Sequence, residues 1–222
     1  MTIQITTITT PFTFGVSVNC YFVDTGDGYV LIDTGMPKRR KQIETALEEA
    51  GCQPGALKLI VLTHGDIDHC GNARYFRERY GSRNAMHRED VGMVEAGRFF
   101  SSRKKRNLLL TWMMNSFFAL SPPDRFTPDL LLDDGDDLSE CGLDARIVGT
   151  PGHSRGSIGI ITAAGDLFCG DLLANTDRPE LWSIMDDASA ARASLTKLAS
   201  LDIGKVFPGH GNPFAWASFH ES

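Results

Sequence analysis

The sequence predicts an α/β fold in which sheets are sandwiched between helices. Three observations carry that expectation. The first third of the chain reads as strands that turn back on one another, the remainder alternates short apolar runs with helical spacing, and the two halves follow a similar course. A chain of 222 residues fits one domain, 1–222, with a helical insertion at about 97–128. Hydrophobic residues at 42% and charged residues at 23% are ordinary for a globular protein and exclude a disordered one.

Taken in order, Ile3, Ile5 and Ile8 alternate with threonines as a strand with one exposed face does. Residues 18–24 and 29–33 flank Thr25-Gly26-Asp27-Gly28, a hairpin signal. Pro37 suits a helix start, and Ile43, Ala46, Leu47 and Ala50 recur at helical spacing up to Gly51. The apolar run 59–62 suits a strand buried on both faces, and it empties into the polar segment 63–69. A helix is expected over 72–80, ending at Gly81, then a short strand and a second helix beginning near Arg88.

The insertion differs in character. Arg103-Lys104-Lys105-Arg106 precedes an apolar stretch, 108–120, that is too short to span a bilayer. Its aromatic and methionine content (Trp112, Met113, Met114, Phe117, Phe118) suits core filling, a roof over a substrate pocket, or a homodimer contact. Strands are expected again at 130–132, 145–148, 157–162, 167–169 and 205–207, and a helix over 188–199 introduced by Asp186 and Asp187.

The formal charge of -6 argues against a nucleic-acid partner, which selects for Lys and Arg. Residues 1–10 carry neither a basic n-region nor an apolar h-region, so no signal peptide is expected. The cysteines, Cys20, Cys52, Cys70, Cys141 and Cys169, are odd in number and form no C-x-x-C pair. That usage suits a reducing compartment, so a cytoplasmic protein is expected, with no membrane partner.

The histidines carry the chemistry. Four of six, His64, His69, His153 and His210, sit where strands are expected to end in polar, Gly-rich segments. His64-Gly65-Asp66-Ile67-Asp68-His69 packs two imidazoles and two carboxylates into six residues, a donor set that suits Zn, Fe or Mn. The lack of clustered cysteines argues against a structural zinc knuckle. Pro151-Gly152-His153-Ser154, Gly170-Asp171 and Pro208-Gly209-His210-Gly211 would each be an ordinary turn if met alone. All of them in this order, each after an apolar run, point to a metal centre. His87, in Met86-His87-Arg88-Glu89-Asp90, reads either as a substrate contact or as a surface residue at a helix start. His220 reads as solvated, and Cys70 and Cys169 as small core residues.

These residues, with Val18-Asn19-Cys20-Tyr21 and Asp33-Thr34-Gly35, resemble the metallo-β-lactamase superfamily over most of the chain. The resemblance implies a four-layer αββα sandwich with two divalent ions, Zn first and Fe or Mn as alternatives. His64, Asp66 and His153 would bind one ion, Asp68, His69 and His210 the other, and Asp171 would bridge them. Asp33 would order the loops without touching metal, and Asp68 and Asp171 would orient a metal-bridging hydroxide or relay its proton. The commonest motif has His where this chain has Asp66, so the loop is a His-x-Asp-x-Asp-His variant.

The implied activity is hydrolysis of a small-molecule substrate, namely a small ester, lactone, thioester or phosphoester. Its alternatives are a non-haem di-iron redox or oxygen-handling protein, motivated by the carboxylates, and a metal-dependent binding or sensing module without turnover. The chain ends soon after His210, so no C-terminal helical domain of the glutathione-thioester-binding kind is expected.

Overall fold

The computed structural model describes residues 3–13, 15–98 and 119–220. The first sheet runs in chain order: β1 (Gln4–Pro11), β2 (Ser17–Asp24), β3 (Tyr29–Ile32), β4 (Leu57–Val61), β5 (Arg83–His87) and β6 (Leu130–Leu132). The second sheet comprises β7 (Ala145–Gly149), β8 (Ile158–Thr162), β9 (Asp166–Asn175), β10 (Pro179–Leu181), β11 (Lys205–Gly211) and β12 (Phe214–Ala215). Its order is β12-β11-β9-β8-β7, with β10 paired to β9. The described helices are α1 (Arg40–Glu49), α2 (Ile67–Cys70), α3 (Ala73–Tyr80), α4 (Val91–Ala96) and α5 (Ala188–Leu198).

The period-2 alternation of the strands builds the layers. On β2, Cys20 and Phe22 face α1 and α3, where Ile43, Leu47 and Phe76 meet them. Tyr21 and Val23 face the other way, against Ile158, Ile160, Phe168 and Phe207 of the second sheet. Beyond that sheet, Val206 and Leu167 pack on Ala191, Leu195 and Leu198 of α5. The result is helices, sheet, sheet, helix: the expected α/β sandwich. Tyr21, Phe168 and Phe207 form an aromatic knot between the sheets, with ring centroids 4.9 to 5.4 Å apart. Burying each such side chain contributes about 1.5–3 kcal/mol.

Pairing sets where the loops emerge. β3 and β4 are parallel, with Ile32 beside Val61, so Asp33 and Thr63 leave the first sheet at the same end. Thr63 O accepts a hydrogen bond from Ile158 N at 2.9 Å, which ties that end to the second sheet. α5 begins as the sequence predicts, with the Asp187 carboxylate accepting from Ser189 N and Ala190 N.

Four local expectations change. The polar segment after β4 closes into a helical turn, α2, that carries Asp68 and His69. β9 does not end at Cys169: Gly170 takes φ +51° and the strand continues through Asp171 to Asn175. β11 likewise runs through His210 with two register shifts. β10 and β12, at three and two residues, were too short to leave a pattern. The basic run and most of the apolar stretch expected in the insertion, and with them the core-filling, pocket-roof and homodimer readings, lie outside the described residues. Leu120 is buried, and its N–H donates to Gly97 O where α4 ends.

Candidate metal centre

Seven side chains meet between the two sheets, and all are those the sequence singled out. His64 follows β4, Asp66 precedes α2, Asp68 and His69 lie on it, His153 sits in the β7–β8 connection, Asp171 on β9 and His210 on β11. Their exposures are between 0% and 6%. Within one cluster His64, Asp66 and His153 can place a ligand atom each, within another Asp68, His69 and His210, and within a third His64, His69 and Asp171.

Asp171 lies between the first two groups. Its Oδ2 is 3.2 Å from His210 Nε2, 3.8 Å from His153 Nε2 and 3.9 Å from His64 Nε2, and its Oδ1 is 3.3 Å from His69 Nε2. Asp66 Oδ2 is 3.0 Å from His153 Nε2 and 3.7 Å from His64 Nε2. Asp68 Oδ2 is 3.6 Å from His210 Nε2 and 3.7 Å from His69 Nε2. Two ligands on one tetrahedral ion, with bonds near 2.0–2.1 Å, stand about 3.3 Å apart, so these spacings fit shared ions.

The ring orientations point the same way. His69 Nδ1 faces Asp33 Oδ2 at 2.8 Å, His153 Nδ1 faces Ile184 O at 2.7 Å, and His210 Nδ1 faces Ser17 O at 2.7 Å. Each partner is an acceptor, so each Nδ1 carries the proton. His64 Nδ1 lies 3.0 Å from Thr63 Oγ1, whose own proton goes to Asp33 Oδ2, so that hydroxyl accepts as well. All four Nε2 atoms therefore face inward, and with each Nδ1 engaged outside the cluster, Nε2 is the nitrogen left for a metal once it carries no proton of its own. His64 Nε2, His69 Nε2 and Asp171 Oδ1 are buried and have no hydrogen-bond partner among the described residues. A bound cation would satisfy them.

The local backbone makes room for this. A Cβ on Gly209 would lie 2.2 Å from Asp171 Oδ1 and 2.7 Å from His69 Cε1. Gly170 abuts Thr63 in the same way, at 2.7 Å from Oγ1. Asn19 Nδ2 donates to Pro208 O at 3.0 Å and Gly211 O at 2.7 Å, bracketing His210, while Tyr21 Oη donates to Pro208 O at 2.6 Å. Trp182 stacks on the His210 ring, with centroids 4.7 Å apart and planes 19° from parallel.

The electrostatics follow from three carboxylates held out of water among imidazoles. Burial pushes the Asp171 carboxyl up, but His210 and His69 overcome it and hold it well below the usual carboxylate range. Burial likewise raises Asp68, and there the opposing pull of His69 and His210 does not overcome it. Burial, helped by His69 and His153, drops His64 well below the ordinary imidazole range. In His69 burial is outweighed by the carboxylates of Asp171, Asp68 and Asp33, so that imidazole is held well above it.

Residues 13–210 match the family model described as the metallo-beta-lactamase superfamily. The chain belongs to the metallo-β-lactamase superfamily. An uncharacterized protein of Mycobacterium leprae is 30% identical over 202 residues, covering 87% of this chain and 86% of its own. The human acyl-coenzyme A thioesterase MBLAC2 is 27% identical, over 90% of this chain and 75% of its own length. Among solved structures, the protein TTHA1623, in a di-iron-bound form, superposes with a TM-score of 0.69 at 26% identity, covering 93% of this chain and 92% of that one. At the level of the superfamily this metallo-β-lactamase relative is a metal-dependent hydrolase.

Other flagged residues stay outside the centre. His87 Nδ1 accepts from Glu89 N and its Nε2 is 3.7 Å from Asp133, so it serves the turn before α4. Cys70 and Cys169 are buried thiols, and His220 is exposed. Sequence reasoning missed Thr63, Trp182 and Asp90, and the carbonyls of Ser17 and Ile184 that orient two rings. No helix among the described residues is long and apolar enough to cross a membrane.

Proposed function

We propose that this metallo-β-lactamase relative is a dinuclear hydrolase of a small ester, lactone, thioester or phosphoester. The observation that carries the reading is the convergence of four inward-facing Nε2 atoms on three buried carboxylates. His64, Asp66 and His153 would hold one ion, Asp68, His69 and His210 the other, with Asp171 shared. Zn is the ion expected, with Fe or Mn as alternatives. Such a pair, when bound, supplies hydroxide from water at neutral pH and a Lewis acid for the electrophile's oxygen.

The chain's own groups do the rest. Asp171, held ionised by His210 and His69, offers oxygens to both halves of the cluster. Asp68 and Asp171, buried beside the rings, would orient the attacking water or relay its proton toward the leaving group. The outward Nδ1 hydrogen bonds keep the four rings from rotating. All five cysteines are free, which supports a reducing, cytoplasmic setting.

The test is metal content per chain by mass spectrometry, on untagged protein expressed without added metal, followed by a hydrolysis screen. Thioesters come first, because one relative is named an acyl-coenzyme A thioesterase. Close to two ions per chain, with thioester, ester or phosphoester cleavage abolished by chelator and restored by metal, is the expected result. One ion or none after adding back Zn, Fe and Mn would overturn it.

A further inference from the structure

Asp90 ends the turn that leads into α4, where an Asp is ordinarily read as a helix cap. It caps nothing: its side chain makes no hydrogen bond to the α4 N-terminus. Fully buried, the carboxylate is spent elsewhere. Its Oδ2 accepts from Gly65 N at 3.0 Å and from Ser154 Oγ at 2.6 Å, and its Oδ1 accepts from Gly156 N at 2.9 Å. Ser157 completes the arrangement, its Oγ accepting from Ser154 N at 3.0 Å and lying 2.8 Å from Ser154 Oγ.

Gly65 stands between His64 and Asp66, and Ser154 follows His153. One carboxylate on a third segment thus grips the two loops that carry one ligand trio, and those loops come from different sheets. The approach is close. A Cβ on Gly156 would lie 2.7 Å from Asp90 Cγ, and a Cβ on Gly65 would lie 3.3 Å from Asp90 O. The other trio is anchored without Asp90, through Asp33 on His69 and through Asn19 and Tyr21 on the strand bearing His210.

We infer that Asp90 is a positioning residue that sets the geometry of the His64–Asp66–His153 metal site and leaves the Asp68–His69–His210 site to its own anchors. The inference rests on the two-metal reading above. A charged acceptor for two backbone N–H groups and a hydroxyl is stronger than a neutral one and resists substitution. Asparagine, of the same shape, must turn its NH2 toward Gly156 N–H or toward Gly65 N–H, so at least one loop is released.

The experiment is calorimetric titration of metal-stripped protein with Zn2+, with circular dichroism as a check on folding. Wild type should take two Zn2+ per chain. Asp90→Asn should keep one at wild-type affinity and bind the other about 10–100-fold more weakly. Ser154→Ala removes a single donor and should weaken the same ion to a smaller extent, which keeps the inference testable if Asp90→Asn does not fold. Asn19→Ala should weaken the other ion, so the Asp90→Asn, Asn19→Ala double variant should weaken both. Equal weakening of both ions by Asp90→Asn or Ser154→Ala alone, or wild-type binding in both, would overturn the role of Asp90. Wild type binding fewer than two Zn2+ would instead overturn the two-metal reading.

Discussion

Asp33 Oδ2 lies 2.8 Å from Nδ1 of His69, and the same oxygen takes the Thr63 hydroxyl proton at 2.8 Å. Through Thr63, Asp33 orients His64 as well, so one carboxylate sets the tautomers of two rings. Asp33 does so from a left-handed backbone, φ 59°, the only such non-glycine among the described residues. Asn tolerates that conformation, so Asp33→Asn should keep the fold. Its NH2 must oppose either Thr63 N–H or His69 Nδ1–H. We expect total metal affinity to fall about 10–100-fold with an unchanged circular dichroism spectrum. Metal binding indistinguishable from wild type would mean that the ring orientations are set by packing alone.

Gly209 offers a sharper steric test. A methyl group there would overlap Asp171 Oδ1 and crowd His69 Cε1, at 2.2 and 2.7 Å. Gly209 does not adopt a positive φ, so Ala strains no backbone dihedral and acts through the clash. Gly209→Ala should therefore displace Asp171 and abolish binding of at least one ion, read as metal per chain after dialysis. Retention of both ions would show that β11 can yield by the width of a methyl group.

Metal loading should release protons. With no ion bound, His69 is raised because the carboxylates of Asp171, Asp68 and Asp33 outweigh burial, and His210 because Asp171 does. A ligand must give up that proton, so affinity should fall as pH is lowered. The linkage has a second face. Raised imidazoles stabilise the metal-free fold below their unfolded value, near 6.5, and that stabilisation is lost as pH rises through their folded values. Asp171 acts oppositely: its contribution is present above the unfolded carboxylate value, about 3.9, and is lost as pH falls through its depressed value. The Tm gap between metal-loaded and chelator-treated protein should thus widen from neutral toward alkaline pH. Calorimetry in buffers of different ionisation enthalpy would count the protons, and a heat independent of buffer would contradict the account.

Asp66 gives the cluster a third carboxylate where a histidine would leave two. Two divalent ions, three ligand carboxylates and one hydroxide sum to neutral, whereas a histidine at 66 would leave a positive charge. The neutral cluster should make the attacking water less acidic and accommodate harder ions such as Mn and Fe. Asp66→His should lower the apparent pKa on the base limb of the kcat/KM profile. A limb that stays put or moves to higher pH would refute the charge argument.

The seven cluster residues were legible because each sits in a short, compositionally distinct stretch. Four lie within six residues, and the rest are marked by Pro-Gly-His or Gly-Asp after an apolar run. Strand lengths were misread for the same reason: Gly170 and Pro208-Gly209 look like strand ends. In the fold they are kinks inside β9 and β11, needed to bring Asp171 and His210 in line. Asp90 was invisible. Its local context offers a sufficient explanation as a helix cap, and its partners lie 25 to 66 positions away. Trp182 follows a three-residue strand and shows no periodicity, so only the fold reveals that its ring covers His210.

Each of the three ligand groupings takes two members from the segment 64–69 and one from beyond residue 150. Neither half of the chain, then, assembles any of these groupings by itself. During synthesis the first sheet emerges with four metal-seeking side chains and no finished place to put an ion. The site comes into being only when the second sheet docks, with Thr63 O receiving Ile158 N as the seam closes. An ion that needs a full trio would therefore find one only in a chain whose second sheet is already in place.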